Sequence, residues 1–428
     1  MFGSILCNHS LASALALSVA LLAPLGDARA AGFKVLYAFK GGSDGAGPVA
    51  GLIADTSGAL YGTTLSGGGK CGKSGCGTIF KLDPGGTETV LHAFAGGSDG
   101  KFPQAGLAAD AKGNLYGTTV YGGGSADCLD GCGTVYKLAS GGDETVLYAF
   151  TGPGLSGIDG QSPLAGLILD KAGNMYGTTN IGGNGTATGT AFKIAPDGTE
   201  TVLYIFNFNA QGAALPFAGL VADAAGNLYG TTQRGGSGIC DNGHGITCGT
   251  VFKLAPNGSE TVLYSFTGFE GFGVDQDGEY PQAGLISDKA GNFYGTTPYG
   301  GHYDCSSPAQ PHGCGIVFKL TADGTETVLH RFMAGDDGAN PMAGLVMDKK
   351  GNLYGTTYYG GGTGCDNAGC GTIFKIAPDG TETILHALRK KDGIYPMAGL
   401  MVDKTGHLFG TTSAGGAHNK GTVFTLKP

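Results

Sequence analysis

The chain has 428 residues, of which 85 are Gly and 17 are Pro, with a formal net charge of −9 and 14% charged residues. The negative charge and the lack of any polybasic run argue against a nucleic acid or an anionic membrane surface as partner. The length fits one large closed domain or two to three ordinary ones. Because the glycines recur at fixed places beside short apolar runs, they indicate tight turns rather than disorder.

The first 30 residues have the pattern of a secretory signal peptide. Leu11 to Gly26 is apolar and short for a membrane span, and Ala28-Arg29-Ala30 gives an A-x-A cleavage pattern before Ala31. A buried core helix is the alternative, since no Lys or Arg precedes the apolar stretch. We expect residues 1–30 to be removed and residues 31–428 to form a single domain. The mature protein is then secreted or periplasmic, without a membrane span, and we expect a monomer.

The cysteines fit the same compartment. Cys7 lies in the signal segment, and the other ten form five close pairs: Cys71 and Cys76, Cys128 and Cys132, Cys240 and Cys248, Cys305 and Cys314, and Cys365 and Cys370. An even number of locally paired cysteines in an exported chain predicts disulfides. Zinc is the alternative, but it needs two pairs, or a pair plus histidines, brought together from different repeats. We therefore predict five disulfides and no metal ligands.

One Gly-rich unit occurs seven times. Its element Tyr-Gly-Thr-Thr recurs at intervals of 53 to 65 residues, beginning at Tyr61, Tyr116, Tyr176, Tyr229, Tyr294 and Tyr354, with Phe409 heading a seventh copy. Each copy contains four strand-like runs, which in the second copy are Ala105 to Asp110, Asn114 to Thr119, Gly133 to Leu138 and Glu144 to Phe150. Turn motifs such as Asp-x-x-Gly-Asn and Pro-Asp-Gly separate the runs, and no helical period appears after the signal. Each repeat is predicted to be four antiparallel strands.

Four-stranded units repeated radially predict an all-β, seven-bladed β-propeller, whose sheets are covered on both faces by their neighbours. An open β-solenoid is the alternative, but its coils are shorter and parallel. The mature chain opens with Phe33 to Phe39, which matches only the fourth strand of the unit, and ends with Gly421 to Leu426, which matches the third. We expect the N-terminal strand to complete the last blade, because this pairing removes two exposed edges.

The unit resembles the GloVer-type (Gloeo_Verruco) tandem repeat of exported bacterial proteins. The resemblance rests on AGL-x-x-D, GNLYGTT and GT-[VI]-FK, and covers Val35 to Leu426. It implies an exported, propeller-like protein, and the family carries no generally agreed activity. The Asp-x-x-Gly-Asn turn is also similar to that of NHL and gluconolactonase-type propellers, but no matching set of their metal ligands is present.

Antiparallel strand order sorts the connections onto two faces. The short turns after strands one and three share one face, and the long connections after strands two and four share the other, which we call the long-loop face. All the variable length and all ten paired cysteines lie on the long-loop face. Rigid scaffolds carry their ligands on long, variable loops, so we expect a site there or at the mouth of the central channel.

An Asp-Gly-x-x-Pro motif recurs on this face. Its aspartates are Asp44, Asp99, Asp159, Asp277, Asp337 and Asp392, while the fourth repeat has Gln211 to Pro216 instead. A ring of carboxylates could bind Ca²⁺. The alternative is an Asx turn that leads into the next innermost strand. Because the motif is present in nearly every repeat, we predict a structural role and no cofactor.

Residues that break the repeat are better candidates for a site. The longest interval, 65 residues, separates the fourth and fifth copies, and the disulfide-closed loops there are the largest. Such loops are pre-organised for binding. They also carry Asp275 and Glu279, and the predicted ligand contacts on repeats four and five are Arg234, His244, Tyr280, Tyr299, His302 and His312.

Two functions follow from these residues. The first is a non-catalytic binding protein for a glycan, an envelope component or another protein. The second is a polysaccharide lyase or hydrolase, because His, Tyr, Arg and Glu can transfer protons and neutralise charge. Solvated loop residues without a role are the third interpretation. No H-E-x-x-H motif is present. Matches to G-x-S-x-G at Gly41 to Gly45 and Gly96 to Gly100, and to the phosphate loop at Gly67 to Ser74, lie in Gly-rich turns with no helical pattern after them, so binding is our first hypothesis.

Overall fold

The structure is a computed structural model that describes residues 32–152, 158–183, 188–207, 212–240, 247–268, 277–302, 305, 313–362 and 364–428. The predicted signal peptide lies outside these residues. Within them the chain forms 29 strands, numbered β1 to β29 in chain order, and one 3-10 turn at Gly97–Asp99.

The strands form seven antiparallel sheets, the blades, which confirms the predicted seven-bladed propeller. The innermost strands are β2 (Ile53–Ala54), β6 (Ala108–Ala109), β10 (Ile168–Leu169), β15 (Val221–Ala222), β19 (Ile286–Ser287), β23 (Val346–Met347) and β27 (Met401–Val402). The second strands are β3 (Leu60–Thr64), β7 (Leu115–Thr119), β11 (Met175–Thr179), β16 (Leu228–Gly235), β20 (Phe293–Thr297), β24 (Leu353–Thr357) and β28 (Leu408–Thr412).

The third strands are β4 (Thr78–Leu82), β8 (Thr134–Leu138), β12 (Thr190–Ile194), β17 (Thr250–Leu254), β21 (Ile316–Leu320), β25 (Thr372–Ile376) and β29 (Thr422–Leu426). The outer strands are β5 (Glu88–Ala93), β9 (Glu144–Ala149), β13 (Glu200–Ile205), β18 (Glu260–Ser265), β22 (Glu326–Arg331), β26 (Glu382–Ala387) and β1 (Lys34–Ala38). An additional strand, β14 (Ala213–Pro216), pairs with β16 and makes blade 4 five-stranded.

The N-terminal strand closes the last blade, as predicted. Strand β1 pairs antiparallel with β29, so blade 7 has the order β1-β29-β28-β27. Next to this seam the Thr411 hydroxyl donates a hydrogen bond of 3.1 Å to the Ala50 carbonyl, which joins blade 7 to blade 1. Equivalent threonines make the same contact to the next blade elsewhere, for example Thr63 to Ala105 at 3.2 Å. The boundary that closes the ring therefore has the same type of contact as the boundaries between the other blades.

A ring of glycines surrounds the central channel. A Cβ on any of them would lie 3.2–3.6 Å from the carbonyl oxygen of the equivalent glycine in the preceding blade, and the ring consists of Gly51, Gly106, Gly166, Gly219, Gly284, Gly344 and Gly399. At the shortest of these separations an added methyl group would have to displace the neighbouring blade by a few tenths of an ångström, which favours glycine in the Ala-Gly-Leu motif. The channel holds a cavity of about 360 Å³, whose lining includes Phe217, Met342 and Met397.

The glycine of Tyr-Gly-Thr-Thr makes room for an aromatic ring. Gly295 pairs with Phe318 on the neighbouring strand, and a Cβ on Gly295 would lie 2.6 Å from Cζ of Phe318. The Phe318 ring in turn packs edge-to-face on Phe266 of the preceding blade, with centroids 5.2 Å apart. Both rings are fully buried. Because this pattern repeats around the ring, the hydrophobic core lies between the blades rather than within one of them.

We predict that Tyr136→Phe stabilises the protein by about 1 kcal/mol. Tyr136 occupies a position held by Phe in the other blades, it is fully buried, and its hydroxyl has no hydrogen-bond partner. Removing the hydroxyl removes an unsatisfied polar group. The matched control is Tyr148→Phe, because the Tyr148 hydroxyl donates to Asp159 at 2.6 Å and its loss should destabilise. Denaturant unfolding of both variants measures the difference, and a lower stability for Tyr136→Phe would contradict the prediction.

All five predicted disulfides are present, with Cα–Cα distances between 5.3 and 5.6 Å. Each closes a loop between the second and third strands of its blade, on the long-loop face. The bonds join Cys71 to Cys76, Cys128 to Cys132, Cys240 to Cys248, Cys305 to Cys314 and Cys365 to Cys370. The enclosed loops differ in length from blade to blade, while the third strands that follow them are all five residues long. The disulfides therefore fix the variable part of the surface to a constant scaffold.

The Asp-Gly-x-x-Pro aspartates accept hydrogen bonds from the protein itself. Asp159 accepts from the hydroxyls of Tyr148 and Thr151 and from the Gly152 N–H, at 2.6, 2.9 and 3.1 Å. In the other blades that have the motif, the aspartate contacts a Tyr or His of the preceding outer strand in the same way. This geometry supports the predicted structural role, in which each carboxylate orders the loop between two blades.

Candidate functional site

The boundary between blades 4 and 5 differs from the other blade boundaries on the long-loop face. Strand β16 is eight residues long, and its end pairs with β14 through Ala214 and Arg234. In blade 5 the corresponding contact is a single bridge between Glu279 and Tyr299. Arg234 is therefore held by a regular sheet instead of a loop.

Three of the six predicted contact residues meet at this boundary. The guanidinium carbon of Arg234 lies 4.3 Å from the ring centroid of Tyr280, and the Tyr280 and Tyr299 rings meet edge-to-face at 6.1 Å. The backbone N–H of Tyr280 donates to the Cys248 carbonyl at 2.8 Å, which ties the ring to the disulfide-closed loop of blade 4. Stacked Arg and Tyr side chains of this kind form a cation–π contact.

The backbone at Tyr280 has a φ of 54°, although the residue is not glycine and precedes Pro281. A non-glycine residue rarely adopts this conformation, so the surrounding structure must enforce it. The equivalent residues of five further blades also have positive φ, and they are Phe102, Ser162, Leu215, Asn340 and Tyr395. The backbone therefore fixes the direction of the side chain at this position, and only the identity of the side chain differs from blade to blade.

Glu279 lies next to Tyr280, and the sequence pointed to it only as a residue of the loop. It is fully buried, and neither carboxyl oxygen has a hydrogen-bond partner. Burial, with the nearby Asp277 carboxylate, raises the pKa of Glu279 to about 8, although Arg234 acts in the opposite direction. Nη1 of Arg234 is likewise buried without a partner. Near neutral pH the Glu279 carboxyl is therefore largely protonated.

Aligning the seven repeats with one another shows that Glu279 departs from the repeat pattern. No other blade has an acidic residue at this position, where the equivalents are Ala46, Lys101, Gln161, Ala214, Ala339 and Ile394. The wall behind Glu279 is formed by the Cys240–Cys248 disulfide and Gly268, since a Cβ on Gly268 would lie 3.3 Å from Cγ of Glu279 and against both sulfurs. The Cys240–Cys248 disulfide, which closes the loop, therefore lies directly behind the buried Glu279 carboxyl.

Three tyrosines that sequence reasoning missed extend the site across blades 6 and 7. Tyr358 stacks on Tyr395 with centroids 4.7 Å apart and an interplanar angle of 7°. Tyr359 meets Tyr358 at 4.6 Å and Tyr395 at 5.7 Å, both edge-to-face. Burial, followed by the electrostatic effect of Tyr359, raises the pKa of Tyr299.

We call the five residues Tyr280, Tyr299, Tyr358, Tyr359 and Tyr395 the tyrosine arc. Each is half-buried, so part of each ring faces solvent. The arc begins at Arg234 and follows the long-loop face from the boundary of blades 4 and 5 to that of blades 6 and 7. Its members occupy the positions just after Tyr-Gly-Thr-Thr and just before the proline of the next repeat.

The remaining predicted contacts are not placed in the arc. The His302 carbonyl accepts a hydrogen bond of 3.1 Å from the Cys305 N–H, at the start of the disulfide-closed loop of blade 5. His244 and His312 lie outside the described residues. The structure thus brings together Arg234, Tyr280 and Tyr299 from the predicted set.

A second concave region lies on blade 2. Its cavity of about 430 Å³ is lined by loop residues including Lys101, Leu129 and Asp130. The ammonium group of Lys101 forms a 2.9 Å ion pair with Asp130 and lies 5.6 Å from the ring centroids of Phe102 and Tyr121. Because this cation already has a carboxylate partner, it is less available to a ligand than Arg234.

Several solved structures share the propeller fold. The extracellular domain of the putative one-component system BT4673 from B. thetaiotaomicron matches at 10% identity and a TM-score of 0.54, over 92% of this chain and 40% of that one. The extracellular domain of the putative hybrid two-component system BT3049 from the same organism matches at 13% identity and a TM-score of 0.51, over 92% and 41%. This chain therefore spans well under half the length of those proteins, and the similarity shows the fold alone.

A gluconolactonase from Xanthomonas campestris matches at 14% identity and a TM-score of 0.42, over 92% of this chain and 88% of that one, which is too distant to support an inference about activity. The five disulfides fit an extracytoplasmic protein. No helix within the described residues has the length and apolar character needed to cross a membrane.

No match is found among curated proteins. The Gloeobacter/Verrucomicrobia repeat pattern matches the chain in three overlapping segments, residues 27–157, 72–307 and 238–428. Together these segments include all seven repeats and both strands that form the closing seam. The chain belongs to the Gloeobacter/Verrucomicrobia repeat family.

Proposed function

We propose that this protein is an exported binding protein that holds a glycan against the tyrosine arc. The observation that carries the proposal is the concentration of Arg234 and five tyrosines on blades 4 to 7, whereas blade 2 has a single tyrosine at these positions, Tyr121, whose edge-to-face partner is Phe102. At the equivalent positions blade 1 has Leu65 and Ser66, and blade 3 has Asn180 and Ile181. Tyr combines an apolar ring face with a hydroxyl, which suits the mixed apolar and polar surface of a sugar.

Arg234 gives this face a preference for acidic sugars. Its guanidinium stacks on Tyr280, and the neighbouring Glu279 carboxyl is largely protonated near neutral pH. The charge of Arg234 is thus left without a carboxylate counter-ion from Glu279. A uronic acid or sulfated sugar would supply that counter-ion, and charge-assisted hydrogen bonds of this type are stronger than neutral ones.

Catalysis is the second candidate, and Glu279 is the observation that favours it. A carboxyl group whose pKa is raised toward neutrality is the typical general acid for glycoside cleavage. The Glu279 side chain is fully buried, however, so a substrate would reach it only after a conformational change. For this reason we place binding first.

We expect wild-type protein to bind acidic oligosaccharides more tightly than neutral ones of equal length in isothermal titration calorimetry. Tyr299→Ala and Tyr358→Ala should each weaken binding about tenfold or more, which corresponds to ~1.4 kcal/mol. Arg234→Ala should reduce the preference for the acidic ligand specifically. These substitutions replace half-buried residues at the surface, so the melting temperature should change little.

The matched control is Tyr121→Ala, because Tyr121 occupies in blade 2 the position that Tyr299 occupies in blade 5. It should leave binding unchanged. If Tyr121→Ala abolishes binding and the arc variants do not, the ligand site lies on the opposite side of the ring. Release of shortened products by the wild type, lost in Glu279→Gln, would instead establish the catalytic candidate.

A further inference from the structure

A cluster of potential metal ligands lies at the outer edge of the boundary between blades 1 and 2. It consists of His92 on β5, Asp99 in the connecting loop and Glu144 on β9. One ligand atom from each residue lies within 4.8 Å of the other two. The three side chains are half-buried, and the cluster is remote in sequence from the tyrosine arc.

The individual contacts leave ligand positions available. Nε2 of His92 lies 3.1 Å from Oδ1 of Asp99, while Oδ2 of Asp99 accepts the backbone N–H of Ala95 at 2.5 Å. Oε1 of Glu144 is buried and has no hydrogen-bond partner. The equivalent glutamates of other outer strands, such as Glu200 and Glu326, have the same unpartnered oxygen, so the imidazole of His92 and the close approach of the three ligand atoms are what distinguish this boundary.

The rest of the ring shows what is special about this boundary. Other boundaries pair an aspartate with a Tyr of the preceding outer strand, as in Tyr37–Asp44 and Tyr148–Asp159, both at 2.6 Å. A glutamate occupies the start of the following outer strand there too, as Glu88 or Glu200. The scaffold therefore provides two acids at each of these boundaries, and His92 replaces a phenol with an imidazole, which is a far better ligand for transition metals.

A second His–Asp pair occurs at His330 and Asp337, with the two side chains 3.0 Å apart. The following outer strand supplies Glu382, but these three residues do not converge as closely. Within the described part of the chain, His92, Asp99 and Glu144 are the one group of three whose ligand atoms all meet within 4.8 Å. His330 therefore serves as an internal comparison for His92.

We propose that His92, Asp99 and Glu144 bind a divalent transition-metal ion, with Zn²⁺ favoured. Two zinc–ligand bonds of ~2.0 Å at a tetrahedral angle separate their ligand atoms by about 3.3 Å. The observed 3.1 Å between His92 and Asp99 is close to that separation. One imidazole and two carboxylates form a ligand set that suits zinc, and water completes the coordination.

The ion would connect two blades. His92 belongs to the outer strand of blade 1 and Glu144 to that of blade 2, so one metal ion cross-links the edges of adjacent sheets. The role is structural, and it does not depend on the glycan-binding proposal. It adds a restraint at the periphery, where the outer strands are only half-buried.

The test uses tag-free, chelator-treated protein titrated with Zn²⁺ in calorimetry. We expect one tight site per chain and a rise in melting temperature with Zn²⁺ concentration, because an ion that binds only the folded state stabilises it. His92→Tyr should weaken that site about 100-fold or more and abolish the thermal shift. Four other outer strands have Tyr at this position, so the variant should fold normally.

Two further variants sharpen the result. Glu144→Gln keeps the size of the side chain but weakens a ligand, and it should reduce affinity as His92→Tyr does. His330→Tyr makes the same chemical change at the comparison boundary and should leave the tight site intact. The proposal is overturned if wild type shows no tight site, if His92→Tyr binds like wild type, or if His330→Tyr removes the site instead.

Discussion

A protein that begins at Lys40 will melt at a much lower temperature than one that begins at Ala31, or will assemble into oligomers. The deletion removes β1 and leaves blade 7 with three strands. Strand β29 then exposes a row of unpaired backbone groups at its edge, which is a template for pairing with another molecule. We expect this to be the largest effect of any short deletion in the ring.

Core packing sets the size of the effect. Phe39 is fully buried and packs edge-to-face on Phe80 with centroids 5.1 Å apart. Phe33 stacks on His386 at 4.0 Å with an interplanar angle of 8°. Loss of one fully buried Phe side chain alone costs about 3–5 kcal/mol. Removing the whole segment also removes the β1–β29 hydrogen bonds.

Calorimetry and light scattering of both proteins measure the result. Lys34→Ala in the protein that begins at Ala31 is the control, because Lys34 lies on β1 but is exposed, and it should behave like wild type. A synthetic peptide of residues 31–39 should restore part of the lost stability to the deletion protein. An unchanged melting temperature together with a monomeric mass would show that the seam does not contribute.

Thermal stability should also fall steadily as the pH rises from about 5 to 8. Burial, followed by nearby aspartates, raises the pKa of Glu88 to about 8 and that of Glu200 and Glu382 to about 7. The pKa values of Glu260 and Glu326 are raised as well, and so is that of Glu279 of the candidate site. Six carboxyl groups thus retain a proton in the folded state to a higher pH than in the unfolded chain.

The sign follows from proton counting. Between pH 4.5 and about 8 the folded state binds more protons than the unfolded state, so raising the pH favours unfolding. Aspartates of the Asp-x-x-Gly-Asn turns act in the opposite sense, because hydrogen bonds hold the pKa of residues such as Asp110 and Asp288 below the usual value despite partial desolvation. Their stabilisation is lost only below about pH 4. Maximum stability is therefore expected near pH 4 to 5.

The measurement is a series of melting temperatures at constant ionic strength from pH 4 to 9. The triple variant Glu88→Gln, Glu200→Gln, Glu382→Gln should show a shallower decline, because three of the titrating groups are gone. Asp143→Asn, which changes an exposed turn carboxylate, should follow the wild-type curve. A melting temperature that rises from pH 5 to 8 would refute the assignment of raised pKa values.

The fold could be predicted from the sequence because its information is local and repeated. Each turn motif and each strand-like run occurs about seven times, so an error in one copy is corrected by the others. The exception is blade 4, whose repeat lacks the Asp-Gly-x-x-Pro aspartate, and where Ala213–Pro216 forms the unpredicted strand β14. The innermost strands are also shorter than predicted, because carbonyls such as that of Ala105 bond to a threonine of the adjacent blade.

The candidate site was only partly predictable, since it is formed between blades. Tyr358 and Tyr395 belong to different repeats, and nothing in either repeat alone indicates that the two rings stack. The same holds for His92 and Glu144, which a reading of one repeat assigns to the packing of separate outer strands. Arg234 and Tyr280 were found because each departs from its own repeat. Side-chain contacts between adjacent blades can be identified only when the relative positions of the blades are known.

The seam between β1 and β29 also determines the order in which the chain can finish folding. Strand β1 leaves the ribosome first, and its partner leaves last, after the six complete blades have been synthesised. Phe33 and Phe39 therefore remain without their final neighbours throughout synthesis. Contacts between distant parts of a chain form slowly and expose apolar surface to aggregation in the meantime. A nascent chain of this protein consequently needs protection at its beginning for as long as its end is missing.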